Sequence, residues 1–464
     1  MEDRTKVIVA VAAVLTAVVA VVAATLSFGL LFPASSRSSS GPQGQAFCSA
    51  ATGDWTTYHE NNSRDGEQPG TVTAVHPLWD GPTTVDGQVY AEPLVCGDAV
   101  FVATENDSVY ALNASTGAVL WRTNLGTTVP GSDLPCGDIS PSGITGTPVI
   151  DTATGVLYVV AYLVPTHHVL FGLNVTTGKV VSNVTVDPDP ANVTAEQQRG
   201  ALALANGIVY VPYGGLYGDC GPYHGWVVGV RTSGSSGLLK YKVPTPREAG
   251  IWGPAGEAVA PNGSLYVATG NGASQTTFDF GDSVIELSPT LNETDYFAPS
   301  NWKQLNGNDT DLGSTAPTIL SNGDVFQVGK AGMGYLLAAS HLGGIGGQLY
   351  NRSVCGGAYG GTAHVGLSLF VSCTDGVFDV VVNATNFSVA WHTPSFDAGS
   401  PIVTGNIVWA VNITSARLTG FSISTGAPVY SLPLDAADHF ISPAAAPGSL
   451  FVAGGALVYA YALS

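Results

Sequence analysis

Apolar and polar residues alternate along this chain in short bursts. After residue 50, hardly any stretch carries its apolar residues at the three-to-four spacing of an amphipathic helix. Instead one unit is written eight times: a glycine, then three or four residues later an aromatic set in a β-branched, apolar run. The copies run from Gly97 to Phe101, Gly155 to Tyr158, Gly207 to Tyr210, Gly263 to Tyr266, Gly323 to Phe326, Gly366 to Phe370, Gly405 to Trp409 and Gly448 to Phe451. Glycine opens the φ > 0 corner of a tight turn, and the alternating aromatic and aliphatic residues after it suit a buried strand. The aromatics recur at intervals of 57, 52, 56, 60, 44, 39 and 42 residues, room for four short strands and their loops. This predicts an all-β, eight-bladed β-propeller over residues 51–464.

The last unit is cut short. Seven copies continue into a further strand, a turn and another strand, whereas after Leu457-Val-Tyr-Ala-Tyr-Ala-Leu463 only Ser464 remains. A strand-like run without a blade of its own, Val75-His-Pro-Leu-Trp79, precedes the first copy. Adding it to the C-terminal blade closes the ring and removes two open edges at once.

The N-terminus follows other rules. Arg4 and Lys6 sit in a tip of residues 1–6, and 7–32 are 26 apolar or small residues without a charge, long enough to cross a bilayer with some tilt. The positive flank predicts a single-pass transmembrane anchor with a cytoplasmic tip, a cleaved signal peptide being the alternative. A Ser/Gly/Pro-rich stalk over 33–50 then carries the propeller on the extracellular side of the cell membrane. Thirteen Asn-x-Ser/Thr sequons fit that compartment as glycosylation sites: Asn61, Asn106, Asn113, Asn174, Asn183, Asn192, Asn262, Asn292, Asn308, Asn351, Asn383, Asn386 and Asn412. Six cysteines make an even set for an oxidising environment, and fifteen pairings are open to them. Blade position favours Cys355 with Cys373, Cys136 with Cys220 and Cys48 with Cys96. The formal charge of −19 rests on only 11% charged residues, so the surface is hydroxyl and glycan rather than ionic. Nucleic acid is not an expected partner; the membrane and cell-surface proteins or glycans are.

The run Ala111-Leu-Asn113-Ala-Ser-Thr116-Gly117-Ala-Val-Leu-Trp121 resembles the Ala-x-Asp-x-x-Thr-Gly-x-x-x-Trp docking repeat of pyrroloquinoline-quinone (PQQ) type propellers, with weaker copies at Gly172 to Ser182, Val381 to Trp391 and Gly420 to Tyr430. In that family the repeat's tryptophan packs between neighbouring blades, and the likeness covers about residues 50 to 464. Secreted PQQ-like repeat proteins are the closer likeness, through Tyr217-Gly-Asp219-Cys-Gly-Pro-Tyr223-His224-Gly-Trp226, Gly250-Ile-Trp252-Gly-Pro, Gly270-Asn-Gly272, Asp279-Phe-Gly-Asp282, Asp311-Leu-Gly-Ser and Gly329-Lys330-Ala-Gly. The family's dehydrogenases imply PQQ and Ca²⁺ as cofactors, a carboxylate base, and a disulfide between adjacent cysteines. No Cys-Cys pair occurs here.

Candidate oxygens for a hard cation and a base stand at inner-strand entrances: Glu92, Asp138, Asp219, Glu257, Asn271, Asp282 and Asp311. If the chain is an enzyme, Glu257, Asp282 and Lys330 are the catalytic candidates, with Glu257, Asn271 and Asp282 near the metal. A buried Glu257 needs a partner, and Lys330 could supply a channel ion pair. Tyr217, Asp219, Tyr223, His224, Trp226 and Trp252 form an aromatic ligand-binding cluster near Cys220. Loops beyond structural need, at 127–143, 187–199, 214–226, 245–252, 270–282 and 299–313, crowd the early blades. Three functions follow from these features. The first is a membrane-anchored binding or scaffold module; the alternatives are a PQQ- and Ca²⁺-dependent dehydrogenase of alcohols or sugars, and a structural surface-layer or adhesive component.

Overall fold

The computed structural model describes residues 53–234 and 237–464. Every repeat glycine does what the pattern asks of it: φ lies between +55° at Gly405 and +90° at Gly323 in all eight copies, a region costly for side chains with a Cβ. Each glycine turns the innermost strand of a blade into the next, and the aromatic that follows is buried, from Tyr158 at 8% exposed to Trp409 at 0%. Eight sheets of four or five strands result. Blade 1 runs from Leu94–Cys96 to Val119–Asn124, blade 2 from Val149–Asp151 to Val180–Thr185 and blade 3 from Ala203–Ala205 to Leu239–Lys242. Blade 4 runs from Ala258–Val259 to Glu293–Ala298, blade 5 from Thr318–Ile319 to Tyr350–Ser353 and blade 6 from Ala358–Val365 to Phe387–His392. Blade 7 spans Ile402–Thr404 to Pro428–Pro433, and blade 8 begins at Ala444–Ala446.

Blade 8 is completed from the other end of the chain. Val75, His76 and Pro77 pair antiparallel with Leu463, Ala462 and Tyr461, the closure that the incomplete last unit implies. Trp79, just beyond, donates from Nε1 to the Ala114 carbonyl of blade 1. The same lock recurs where Trp121 of blade 1 reaches Val175 O of blade 2, and where Trp391 of blade 6 reaches Ile423 O of blade 7. In each lock the indole lies on the glycine of a Thr-Gly turn: a Cβ on Gly117, Gly178 or Gly426 would come within 2.7, 2.6 or 2.4 Å of it. One buried apolar cluster, with Trp79, Phe101, Trp409 and Phe451 among its members, therefore runs unbroken from blade 7 through the seam to blade 2.

Ahead of the closing strand the chain makes a strap that the sequence pattern did not reveal. Trp55 exchanges backbone hydrogen bonds with Val95, Thr56 accepts from Ile150, Asn62 from Val259, Asp65 from His364 and Gly66 from Val403. Arg64 reaches Leu202 O, and Glu67–Gln68 adds a parallel strand to blade 7. The strap thus touches blades 1, 2, 3, 4, 6 and 7 before its end enters blade 8. Arg64, 2% exposed, ties the strap to the wheel, donating to the Thr57 hydroxyl and Tyr58 carbonyl within the strap and to the Leu202 and Glu257 carbonyls outside it.

Cys136–Cys220 and Cys355–Cys373 are disulfides, as blade position suggested. Cys96 is also disulfide-bonded. Its expected partner Cys48, the tip (1–6), the anchor (7–32) and the stalk (33–50) lie outside the described residues. Among the described residues no helix is long and apolar enough to cross a membrane.

Candidate functional site

Where the inner strands begin, the loops enclose a cavity of about 460 Å³. Blade 5 supplies its charge. The hairpin between Val325–Val328 and Met333–Leu337 turns at Gly329, where a Cβ would strike the Asp311 carbonyl at 2.4 Å, so only glycine lets Lys330 follow so closely. The Lys330 ammonium lies 2.8 Å from Asp311 Oδ2 and 2.9 Å from Asp309 Oδ1. Asp311 is 3% exposed and accepts two more hydrogen bonds, from Asn271 N at 2.8 Å and from Trp252 Nε1 at 3.2 Å. Burial lifts the Asp311 carboxyl above its usual range, an effect the neighbouring ammonium opposes. Burial, the largest single influence, works against the Lys330 charge, but Asp311 and Asp309 together outweigh it and raise the pKa of that ammonium.

The aromatic wall is built on glycines. A Cβ on Gly214 would meet Trp252 Cβ at 2.8 Å, and one on Gly215 would meet the Tyr223 ring at 2.6 Å, so the bare backbone there lets both rings close in. Tyr223 donates to Asp219 Oδ1 at 2.5 Å, fixing the rim loop that presents Tyr217, which is 70% exposed. Cys136–Cys220 pins this loop, and a Cβ on Gly218 would lie 3.4 Å from the Cys136 sulfur. Arg199 enters from blade 3, its guanidinium 3.8 Å from Asp138 Oδ1, with Nη2 buried and without a hydrogen-bond partner. Tyr359 and Phe440 complete the lining.

The cavity thus gathers Tyr217, Asp219, Tyr223, Trp252, Asp311 and Lys330 of the expected residues and leaves others out. His224 and Trp226 turn away: His224 N and Trp226 Nε1 both donate to Glu196 Oε1 at 3.2 Å, and the His224 ring meets Pro246 O. Asp282 is buried beneath the site, its Oδ1 accepting from Leu312 N at 2.8 Å, its carboxyl pushed well up by burial and by Asp311. Glu257 is a correction. Its electrostatic partner is Arg64 of the strap, not Lys330, which is committed to Asp309 and Asp311. Asn271 and Asp282, expected to share a metal with it, both meet the Asp311 turn, through Asn271 N to Asp311 Oδ1 and Leu312 N to Asp282 Oδ1.

Tyr359 and Phe440 escaped sequence reasoning because they lie in blade 6 and in the turn before blade 8, outside the long loops of the early blades, whereas Arg199 ends one of those loops, 187–199. Asp309 was findable, since two carboxylates two residues apart in Asn308-Asp-Thr-Asp311 offer hard oxygens. Among the described residues, the one trio spaced like metal ligands is Cys355, Cys373 and Asp375, whose cysteines are bonded to each other.

A family model described as outer membrane protein assembly factor BamB, of PQQ-like repeats, matches residues 56–289. The chain belongs to this PQQ-like propeller family. Among PQQ-like relatives, a polyvinylalcohol dehydrogenase of a Pseudomonas species is 25% identical over 260 residues, 49% of this chain and 37% of the relative. The chain thus aligns with little more than a third of that protein's length. The fold is shared with a europium-containing methanol dehydrogenase, at TM-score 0.68 and 14% identity over 89% of this chain and 98% of that one. It is shared too with a quinohemoprotein alcohol dehydrogenase from Pseudomonas putida, at TM-score 0.66 and 14% identity over 89% and 80%.

Proposed function

We propose that this PQQ-like propeller is a quinone-dependent dehydrogenase of hydroxyl-bearing substrates. One observation carries the reading: a buried carboxylate, Asp311, is held by an ammonium, an indole N–H and a backbone N–H at the wall of an aromatic-sided cavity. Dehydrogenases among the relatives favour this function over the scaffold module and the surface-layer component expected alongside it.

The residues fit a flat, anionic quinone. Trp252 offers a stacking face, and Arg199, whose buried Nη2 lacks a hydrogen bond, together with Lys330 offers charge to the quinone's carboxylates. When bound, the quinone supplies the two-electron acceptor. Asp311 is the base placed to receive the proton of a substrate hydroxyl, with Lys330 stabilising its carboxylate form. A hard cation would draw on Asp309 and Asp311, between which Lys330 now lies. Tyr217 at the rim gives the rest of the substrate an exposed aromatic surface. Asp311 thus takes the role given to Glu257 and Asp282 from sequence.

An anchored, outward-facing and glycosylated placement is part of the proposal. It is supported by the apolar run at 7–32, by the disulfides, and by thirteen sequon asparagines of which none is buried. The test is titration of the protein with PQQ plus Ca²⁺ or a lanthanide, followed by dye-linked oxidation of primary and secondary alcohols. Saturable binding with turnover is expected. Tight binding of saccharides or polyols without turnover under any metal would return the chain to the class of binding modules.

A further inference from the structure

Phe440 stands where two cavities meet. Its ring borders the 460 Å³ cavity on one side and, on the other, a chamber of about 10 Å³ lined by Tyr58, Tyr90, Thr145, Thr147, Arg199 and His439, room for one water-sized molecule. Its backbone is held at φ +66°, a left-handed conformation that bulky residues seldom adopt. No strand fixes it, since the segment between Pro428–Pro433 and Ala444–Ala446 is irregular. The ring leans on Trp252 with 6.0 Å between centroids, on Tyr359 at 6.2 Å, and on the Arg199 guanidinium at 5.5 Å.

These spacings leave no room for a third ring. A flat ligand sandwiched between two rings needs about 7 Å between the outer centroids, twice the roughly 3.5 Å contact distance of stacked carbons. With its centroid 6.0 Å from the indole and its plane tilted 49° to it, the Phe440 ring stands closer than that spacing allows. The other group against Trp252, the Lys330 ammonium at 5.5 Å, is tied down by two carboxylates. Phe440 is held by no ion pair, only by the Trp252, Tyr359 and His439 rings, the Arg199 guanidinium over its face and a backbone that a change of φ would relax.

We infer that Phe440 is a specificity-determining gate on the stacking face of Trp252. It must turn aside for a flat ring to stack there, and its displacement uncovers Arg199 to the ligand's anionic edge. Ligands that lack either the flat face or the anionic edge gain too little to move it. The inference rests on the quinone reading of the cavity and adds to it what governs entry.

Stopped-flow quenching of tryptophan fluorescence by PQQ plus Ca²⁺ tests it in the full chain. The wild-type rate should level off as PQQ rises, because opening precedes stacking. Phe440→Ala should bind with a rate that stays linear and with a Kd lower by about tenfold, the fraction of open state no longer limiting. Phe440→Tyr, which keeps the ring, should keep the plateau. Phe440→Gly, which accepts φ +66° without strain, should behave as the alanine variant and guards against a misfolded loop. Equal rates and affinities in wild type and Phe440→Ala overturn the gate while leaving the quinone reading intact, and weaker binding in Phe440→Ala overturns it as well. Quenching in none of the proteins overturns both.

Discussion

Two cations lie beside the inner strands, one opening on a cavity and the other sealed in the fold, and their company differs. Lys330 is shared by two carboxylates, one of them 63% exposed in its side chain, and faces a cavity of about 460 Å³. Arg64 is 2% exposed and bonds the Thr57 hydroxyl and Tyr58 carbonyl of the strap and the Leu202 and Glu257 carbonyls of the wheel, beside the Glu257 and Glu92 side chains. Burial pushes Glu257 up to about 7 and Glu92 to about 8, and it drives His59 down to about 3. A cation whose donors are all consumed by the fold holds the fold. A cation tied to carboxylates at a cavity wall sets the charge that a ligand meets there.

The sharpest way to break this contrast is to remove each cation. Arg64→Met should cost about 3–5 kcal/mol by leaving buried acids uncompensated, whereas Lys330→Met, partly exposed, should stay within about 1 kcal/mol of wild type in urea unfolding. Equal losses would erase the distinction. Asp311→Asn should lower kcat for dye-linked alcohol oxidation by about 10²- to 10⁴-fold at an unchanged melting temperature. A variant that turns over normally would remove Asp311 from the chemistry.

The sealed end should announce itself in pH. Glu92 has a folded pKa of about 8, above its ordinary 4.5, so the native state keeps a proton that the unfolded chain gives up. The stability it contributes is whole below about pH 4.5 and is lost as pH rises through 8. Thermal midpoints should therefore fall from pH 5 to 8, and Glu92→Gln, whose amide oxygen can still accept from Trp55 and His59, should flatten that slope by up to about 1 kcal/mol per pH unit. A slope untouched by the substitution would show that Glu92 titrates normally. The smallest effect belongs to the rim: Tyr217→Ala should raise KM a few-fold, the worth of about 1 kcal/mol of aromatic contact, at constant kcat. A fall in kcat instead would move Tyr217 from the rim into the reaction.

The wheel was legible because its rule is local. A glycine at positive φ, an aromatic three or four residues on, and a Thr-Gly turn that seats the next indole each lie within one short window of sequence. The site was legible only where neighbours in sequence remain neighbours in space, as in Tyr217, Asp219 and Tyr223 on one pinned loop. Lys330 and Glu257 looked like partners because both are charges at inner-strand ends. Their true partners, Asp309 and Asp311 for Lys330 and Arg64 for Glu257, come from a loop and a strap that lie outside the repeating unit. Phe440 carries no sequence signal at all; its importance is a matter of which blades face each other across the ring.

The lock at the seam has one more consequence. Trp79 grips the Gly117 turn with the same indole-to-carbonyl bond that Trp121 and Trp391 make elsewhere. The joint that closes the circle is therefore no weaker in kind than those joints. A circular permutant that links residue 464 to the strap and is cut open in an inter-blade turn should assemble the same wheel, because the seam is fastened as the Trp121 and Trp391 joints are.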